Sequence, residues 1–93
     1  MAKKLATIPV FHIPYRVTEH RKLKLGKTRC DGYVNFSRRR IKLRLGREPW
    51  TDLHEIIHAA ADALDIRLNE RKTNQLARAM WGAGVKAPWE NGP

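Results

Sequence analysis

One cysteine, Cys30, stands in a chain of 93 residues, so no intrachain disulfide can staple the fold and no cysteine-based zinc site can form. Any metal must be held by histidine and carboxylate. Aromatic residues are sparse at 8%, and few of them interleave with the charges, which leaves little material for stacking on nucleobases. Apolar runs are all far too short to span a bilayer. At the N-terminus Lys3 and Lys4 lead into a mixed stretch broken by Pro9, not into the apolar core of a secretion signal. The expectation is a cytoplasmic protein with no membrane role.

Acidic residues are also scarce, 9 against 19 Lys and Arg, for a net charge of +10. The imbalance is local: residues 1–47 carry 14 cations and 2 acids, whereas residues 48–93 carry 5 and 7. A basic first half can meet nucleic acid or another polyanion, or can serve as a solvated surface. What is present otherwise is 42% hydrophobic material, enough for one core in a chain of this length and no more than one domain.

Read along the chain, residues 1–14 contain two prolines, Pro9 and Pro14, and are expected to form an extended arm or a short edge strand. Tyr15 to Leu25 alternates as a strand, with Tyr15 and Val17, and also Leu23 and Leu25, available to one face. Tyr33–Phe36 and Ile41–Leu45 read as a hairpin with Ile41, Leu43 and Leu45 inward. Pro49 suits the first turn of a helix running to about Asp65, whose inner positions are Leu53, Ile57, Ala60, Ala61 and Leu64. Asn69 is a good cap for a second helix with Thr73, Leu76, Ala77 and Met80 inside, stopped by Gly82 and Gly84. Residues 15–84 then form the domain, and 85–93, with two prolines and no period, form a loose tail.

Inside the first helix lies His54-Glu55-Ile56-Ile57-His58. Residues four apart share a helix face about 6 Å apart along the axis, so two imidazoles at that spacing converge on one tetrahedral ion. Glu55, turned by about 100°, cannot join them but can reach a metal-bound water. A third ligand must come from elsewhere. Glu70 opens the second helix on the face of Thr73 and Ala77 and is the favoured candidate. Asp62 sits about 12 Å along the axis from His54, too far to share a metal, and suits either a supporting hydrogen bond behind the ligands or an exposed helix carboxylate. His12 and His20 are outside candidates.

The runs GYVNFSRRRIKLRLG, TDLHEIIHA and NERKTNQLARAM, in that order, resemble the small ImmA/IrrE-like metallopeptidase domains of bacteria and their phages. The resemblance covers roughly residues 31–80 and implies a strand hairpin, a helix with H-E-x-x-H, and a helix with a Glu ligand in an E-x-x-A-N-x-F-A-like pattern. Here that pattern reads Glu70-Arg-Lys-Thr73-Asn74-Gln-Leu76-Ala77. SprT-like proteases share the basic character but use a third His, and no His follows His58.

The expected fold is α+β, a small antiparallel sheet of about three strands packed on two helices. The expected chemistry is hydrolysis of a protein or peptide substrate by a zinc peptidase: His54, His58 and Glu70 hold Zn²⁺ and Glu55 is the base. Substrate is expected along the strand Ile41–Leu45, with Tyr33, Tyr15 or His20 stabilising the oxyanion. Arg38, Arg39 and Arg40 are candidates for nucleic-acid contact. The other function class is a basic nucleic-acid or partner-binding module with a structural metal or an inactive site.

Overall fold

A computed structural model describes residues 2–90. Within them the fold is α+β, with strands β1 (Ala2–Val10), β2 (Ile13–His20), β3 (Lys24–Leu25), β4 (Thr28–Arg29), β5 (Gly32–Asn35) and β6 (Arg40–Arg44). Helices α1 (Thr51–Ala63) and α2 (Glu70–Gly82) follow, then a 3₁₀ turn at Pro88–Glu90. The main sheet has four strands in the order β1-β2-β6-β5, and β3 and β4 form a separate ribbon. The sheet is mixed and not purely antiparallel, because β2 and β6 run parallel, with Val17 beside Ile41 and Glu19 beside Leu43.

The N-terminal fourteen residues are part of that sheet. β1 returns through a turn at Phe11 and His12 and pairs antiparallel with β2, placing Pro9 opposite Pro14. A pair that exchanges no backbone hydrogen bonds is the one place in a ladder where two prolines cost nothing. Alternation in β1, β2 and β6 sends Ile8, Val10, Tyr15, Val17, Ile41 and Leu43 to one face, where they form the core with Ala59 of α1. Leu23 is buried, but the strand ends at His20, and Leu25 is exposed. Leu45, expected inward, is 53% exposed because β6 ends one residue earlier and the chain turns at Gly46.

Helix α1 starts at Thr51 and not at Pro49; Trp50 occupies its N-cap with no side-chain hydrogen bond. Its C-terminus closes on Asp65 in the left-handed region (φ 55°), with Asp65 N–H donating to Asp62 O and Ile66 N–H to Ala61 O. This capping motif reverses the chain. Leu64 lies beyond the last helical turn and is exposed. Asn69 then caps α2, its side chain accepting from Lys72 N–H at 2.7 Å. Thr73 and Ala77 are fully buried against α1, whereas Leu76 is largely exposed.

Residues 85–90 of the expected loose tail are docked. Ala87 is fully buried, and Trp89 donates its indole N–H to Asp52 in α1 at 2.7 Å. Residues 91–93 lie outside the described residues.

Removing the α2 cap gives a first prediction. Asn69→Ala is expected to cost about 1 kcal/mol, a fall of roughly 4 to 8 °C in Tm. Thermal melts check it, and an unchanged Tm would show that the Asn69 side chain does not support the helix.

Candidate metal centre

Helix geometry sets His54 and His58 one turn apart on the side of α1 that faces α2, and their Nε2 atoms come within 3.0 Å. The reversal at Asp65 brings the first turn of α2 back alongside them. Glu70 thereby places Oε2 3.1 Å from His54 Nε2 and Oε1 2.6 Å from His58 Nε2. Three side chains from two helices thus converge. The Glu70 side chain is 78% exposed, so it closes the cluster from the solvent side.

Glu55 lies behind them in a different environment. It is only 4% exposed, and its Oε2 has no hydrogen-bond partner. Burial, with lesser contributions from Glu70 and Asp52, pushes its carboxyl up to about 8. Ligand atoms of His54, Glu55 and His58 fall within 4.8 Å of one another. Desolvation lowers the basicity of His54, partly opposed by the Glu70 carboxylate. A less basic imidazole offers its lone pair more readily at neutral pH.

Those observations test whether a metal fits. Three ligands at ordinary zinc distances on tetrahedral corners stand roughly 3.3 Å apart; the spacings here are 2.6–3.1 Å, so the three side chains need part only slightly to admit an ion. The donor set of two imidazoles and a carboxylate is a hydrolytic zinc set. An orphaned buried carboxylate beside them lacks a hydrogen-bonding partner that a ligand water can supply. The residues therefore fit a zinc ion.

An open groove of about 670 Å³ runs past the cluster, lined by β5, the β3–β4 ribbon and both helices. Val34, Phe36 and Trp50 give it an apolar wall. Gly32 explains how Glu55 lies so close to β5: a Cβ there would meet Glu55 Cγ at 3.2 Å and Lys42 O at 3.1 Å. This residue escaped the sequence reading, although a glycine inside a strand is the usual signal of close backbone approach. Asn74, one turn after Glu70, also lines the groove and favours the charged form of His54 through a side-chain hydrogen bond. It stands in the Glu70–Ala77 pattern read from the sequence, one helical turn after Glu70.

Other sequence candidates are not brought to the cluster. Asp62 is exposed near the far end of α1, where its charge acts on Tyr15, and makes no hydrogen bond to either imidazole. Tyr15 is buried in the core, His20 is hydrogen-bonded to Thr18 at 2.8 Å, and the ring of Tyr33 lies beside Lys42 on the other face of the sheet, so none of the three oxyanion candidates is aimed at the cluster. His12 is exposed in the β1–β2 turn. Strand β6 is interior, so it has no free edge for substrate; the edge beside the cluster belongs to β5. Arg38 and Arg39 lie exposed in the β5–β6 turn and Arg40 at the start of β6, away from the cluster.

The N-terminus of α1 is held by a network the sequence did not reveal. Arg47 donates to both carboxylate oxygens of Asp52, to Glu19 of β2 at 2.6 Å and to Arg44 O at 3.1 Å. Asp52, in the first helical turn, also accepts from Trp89. Burial would raise the Asp52 carboxyl, but these hydrogen bonds, Arg47 foremost, hold it below its ordinary value. The network ties α1 to the sheet two residues before His54.

Comparison of the chain with protein-family profiles, with characterised proteins and with solved structures finds no match.

Proposed function

We propose that this chain is a zinc-dependent peptidase of the H-E-x-x-H type, related to the small ImmA/IrrE-like metallopeptidase domains it resembles in sequence. The observation that carries this reading is the convergence of His54, His58 and Glu70 within 2.6–3.1 Å, with the unpartnered carboxylate of Glu55 beside them. Zinc, when bound, supplies Lewis acidity and an acidified water. Glu55 would take the proton from the attacking water and give it to the leaving amine nitrogen, its unpartnered Oε2 being free to accept it. An extended peptide would pair with the free edge of β5, its side chains alternating into the groove.

A purely structural metal is the weaker reading. Structural zinc sites are closed by four protein ligands, whereas this cluster opens onto a groove through an exposed glutamate. Among the described residues no helix is long and apolar enough to cross a membrane. We infer a cytoplasmic setting, which the lone cysteine supports.

Metal analysis of the purified chain tests the reading. About one zinc per chain is expected, lost in His54→Ala and His58→Ala because two remaining ligands do not keep the ion. Glu70→Ala should weaken binding by an order of magnitude or more, and Asp62→Ala, clear of the imidazoles, should leave it unchanged. Metal content equal in all four variants would overturn the site.

A further inference from the structure

The helices cover one face of the main sheet, and the alternate side chains point to the other. On that outer face the register sets Arg16 beside Arg40, Thr18 beside Lys42 and His20 beside Arg44 across β2 and β6. Lys4 stands opposite Thr18 across β1 and β2. Five cations, Lys4, Arg16, Arg40, Lys42 and Arg44, therefore occupy one face of three adjacent strands. Lys4, Arg16 and Arg40 are exposed, and the other two are half-buried. Glu19, the one acid of β2, points to the opposite face and pairs with Arg47. Among the described residues only Arg44 of these five is ion-paired, with Asp31 at 2.5 Å. Neighbouring strands are about 4.8 Å apart and alternate residues about 6.7 Å apart, so the cations form a regular grid.

A solvated surface does not call for that arrangement. Like charges set directly abreast in a sheet repel and weaken the pairing, and Arg16 and Arg40 are abreast. We propose that the outer sheet face binds the phosphate backbone of nucleic acid, on the side of the sheet opposite the metal cluster. Uniform sign across three strands matches a polymer of uniform opposite sign, whereas a protein surface mixes both. No large aliphatic side chain stands among the cations to enter a bilayer. Lys42 lies 5.8 Å over the Tyr33 ring, and a single aromatic residue gives little base stacking, so binding depends on phosphates and not on sequence. Of the arginines singled out in the sequence, Arg40 belongs to this grid, while Arg38 and Arg39 sit in the turn at its end.

The test is a salt series of binding by fluorescence anisotropy, using the full chain with a duplex DNA of about 20 base pairs and a single-stranded RNA of like length. Log affinity should fall linearly with log salt for both probes. The triple variant Arg16→Ser, Arg40→Ser, Lys42→Ser should reduce the slope by about 2 to 3 and weaken duplex binding on the order of 10²-fold to 10³-fold at 0.1 M salt. A control of equal charge loss in the β3–β4 ribbon, Lys24→Ser, Lys27→Ser, Arg29→Ser, should change the slope by less than about 1. Arg16→Gln alone should reduce it by about 1 with Tm unchanged or raised, since it relieves repulsion with Arg40. Equal losses in the two triples would assign the effect to net charge and overturn the proposal. So would absence of binding to either probe at about 50 mM salt, or binding to phosphatidylserine vesicles in its place. Zinc content should not move in any of these variants, which keeps this result separate from the peptidase reading.

Discussion

Glu55→Gln is expected to lower peptide hydrolysis by about 10²-fold to 10⁴-fold while leaving zinc content intact, because an amide can neither take nor return the proton. The same substitution should stabilise the metal-free chain. Glu55 is buried with an unpartnered oxygen, and its carboxyl is pushed from 4.5 to about 8. A folded-state value above the unfolded one means stability that is full below 4.5 and lost as pH rises through about 8. Near pH 7 the cost is on the order of 3 kcal/mol, and glutamine avoids it. Melts of the metal-free variant and parent should therefore diverge as pH is raised from 5 toward 8, the variant being the more stable. A variant that cleaves at the parental rate would remove Glu55 from the chemistry. Parallel melts at every pH would show that its carboxyl is not held out of water.

A carboxyl so placed weakens the fold beside the histidine pair, and the cluster was legible because its signal is local. His54, Glu55 and His58 lie within five residues on one helix, so helical periodicity alone fixes their relative directions. Glu70 was legible for a related reason. Asn69 marks the start of α2, and a short link after α1 forces the two helices to lie alongside each other. The strands Val17 and Ile41–Leu43 belong to were visible from alternation, but their parallel pairing was not, since alternation shows which face a residue takes and not which strand lies beside it. The parallel pair in turn makes β6 interior and leaves β5 as the free edge beside the cluster. β1 was obscured by its prolines, whose cost vanishes only because Pro9 and Pro14 face each other. Arg47 and Asp52 are five residues apart, with Glu19 and Trp89 far away in sequence, and no short-range pattern announces a network of that kind.

Arg47→Ala is expected to be the most destabilising single substitution outside the core, by about 3 to 5 kcal/mol, because it leaves the Asp52 carboxylate buried without its cation. Asp52 is 1% exposed and Arg47 is 13% exposed, so water does not replace the lost donors. For a domain of this size the loss corresponds to a fall in Tm of roughly 15 to 30 °C. Replacing both partners, Arg47→Met with Asp52→Leu, should recover most of it, since apolar groups of similar volume need no pairing. The pH dependence has two arms. Asp52 is held below its ordinary value, so its contribution is present above about 4 and lost as the medium is acidified through the folded-state value. Glu90 is raised to about 7, first by burial and then by its hydrogen bond with Asp52, so its contribution is full below 4.5 and lost as pH rises through 7. Docking of Pro88–Glu90 on α1 should therefore be firmest in mildly acidic solution, with Trp89 fluorescence showing its release on either side. Glu90→Gln should flatten the alkaline arm and leave the acid arm. If Arg47→Ala unfolds with the parental Tm, or if Glu90→Gln keeps the alkaline loss, the buried network does not anchor the helix that carries His54 and His58.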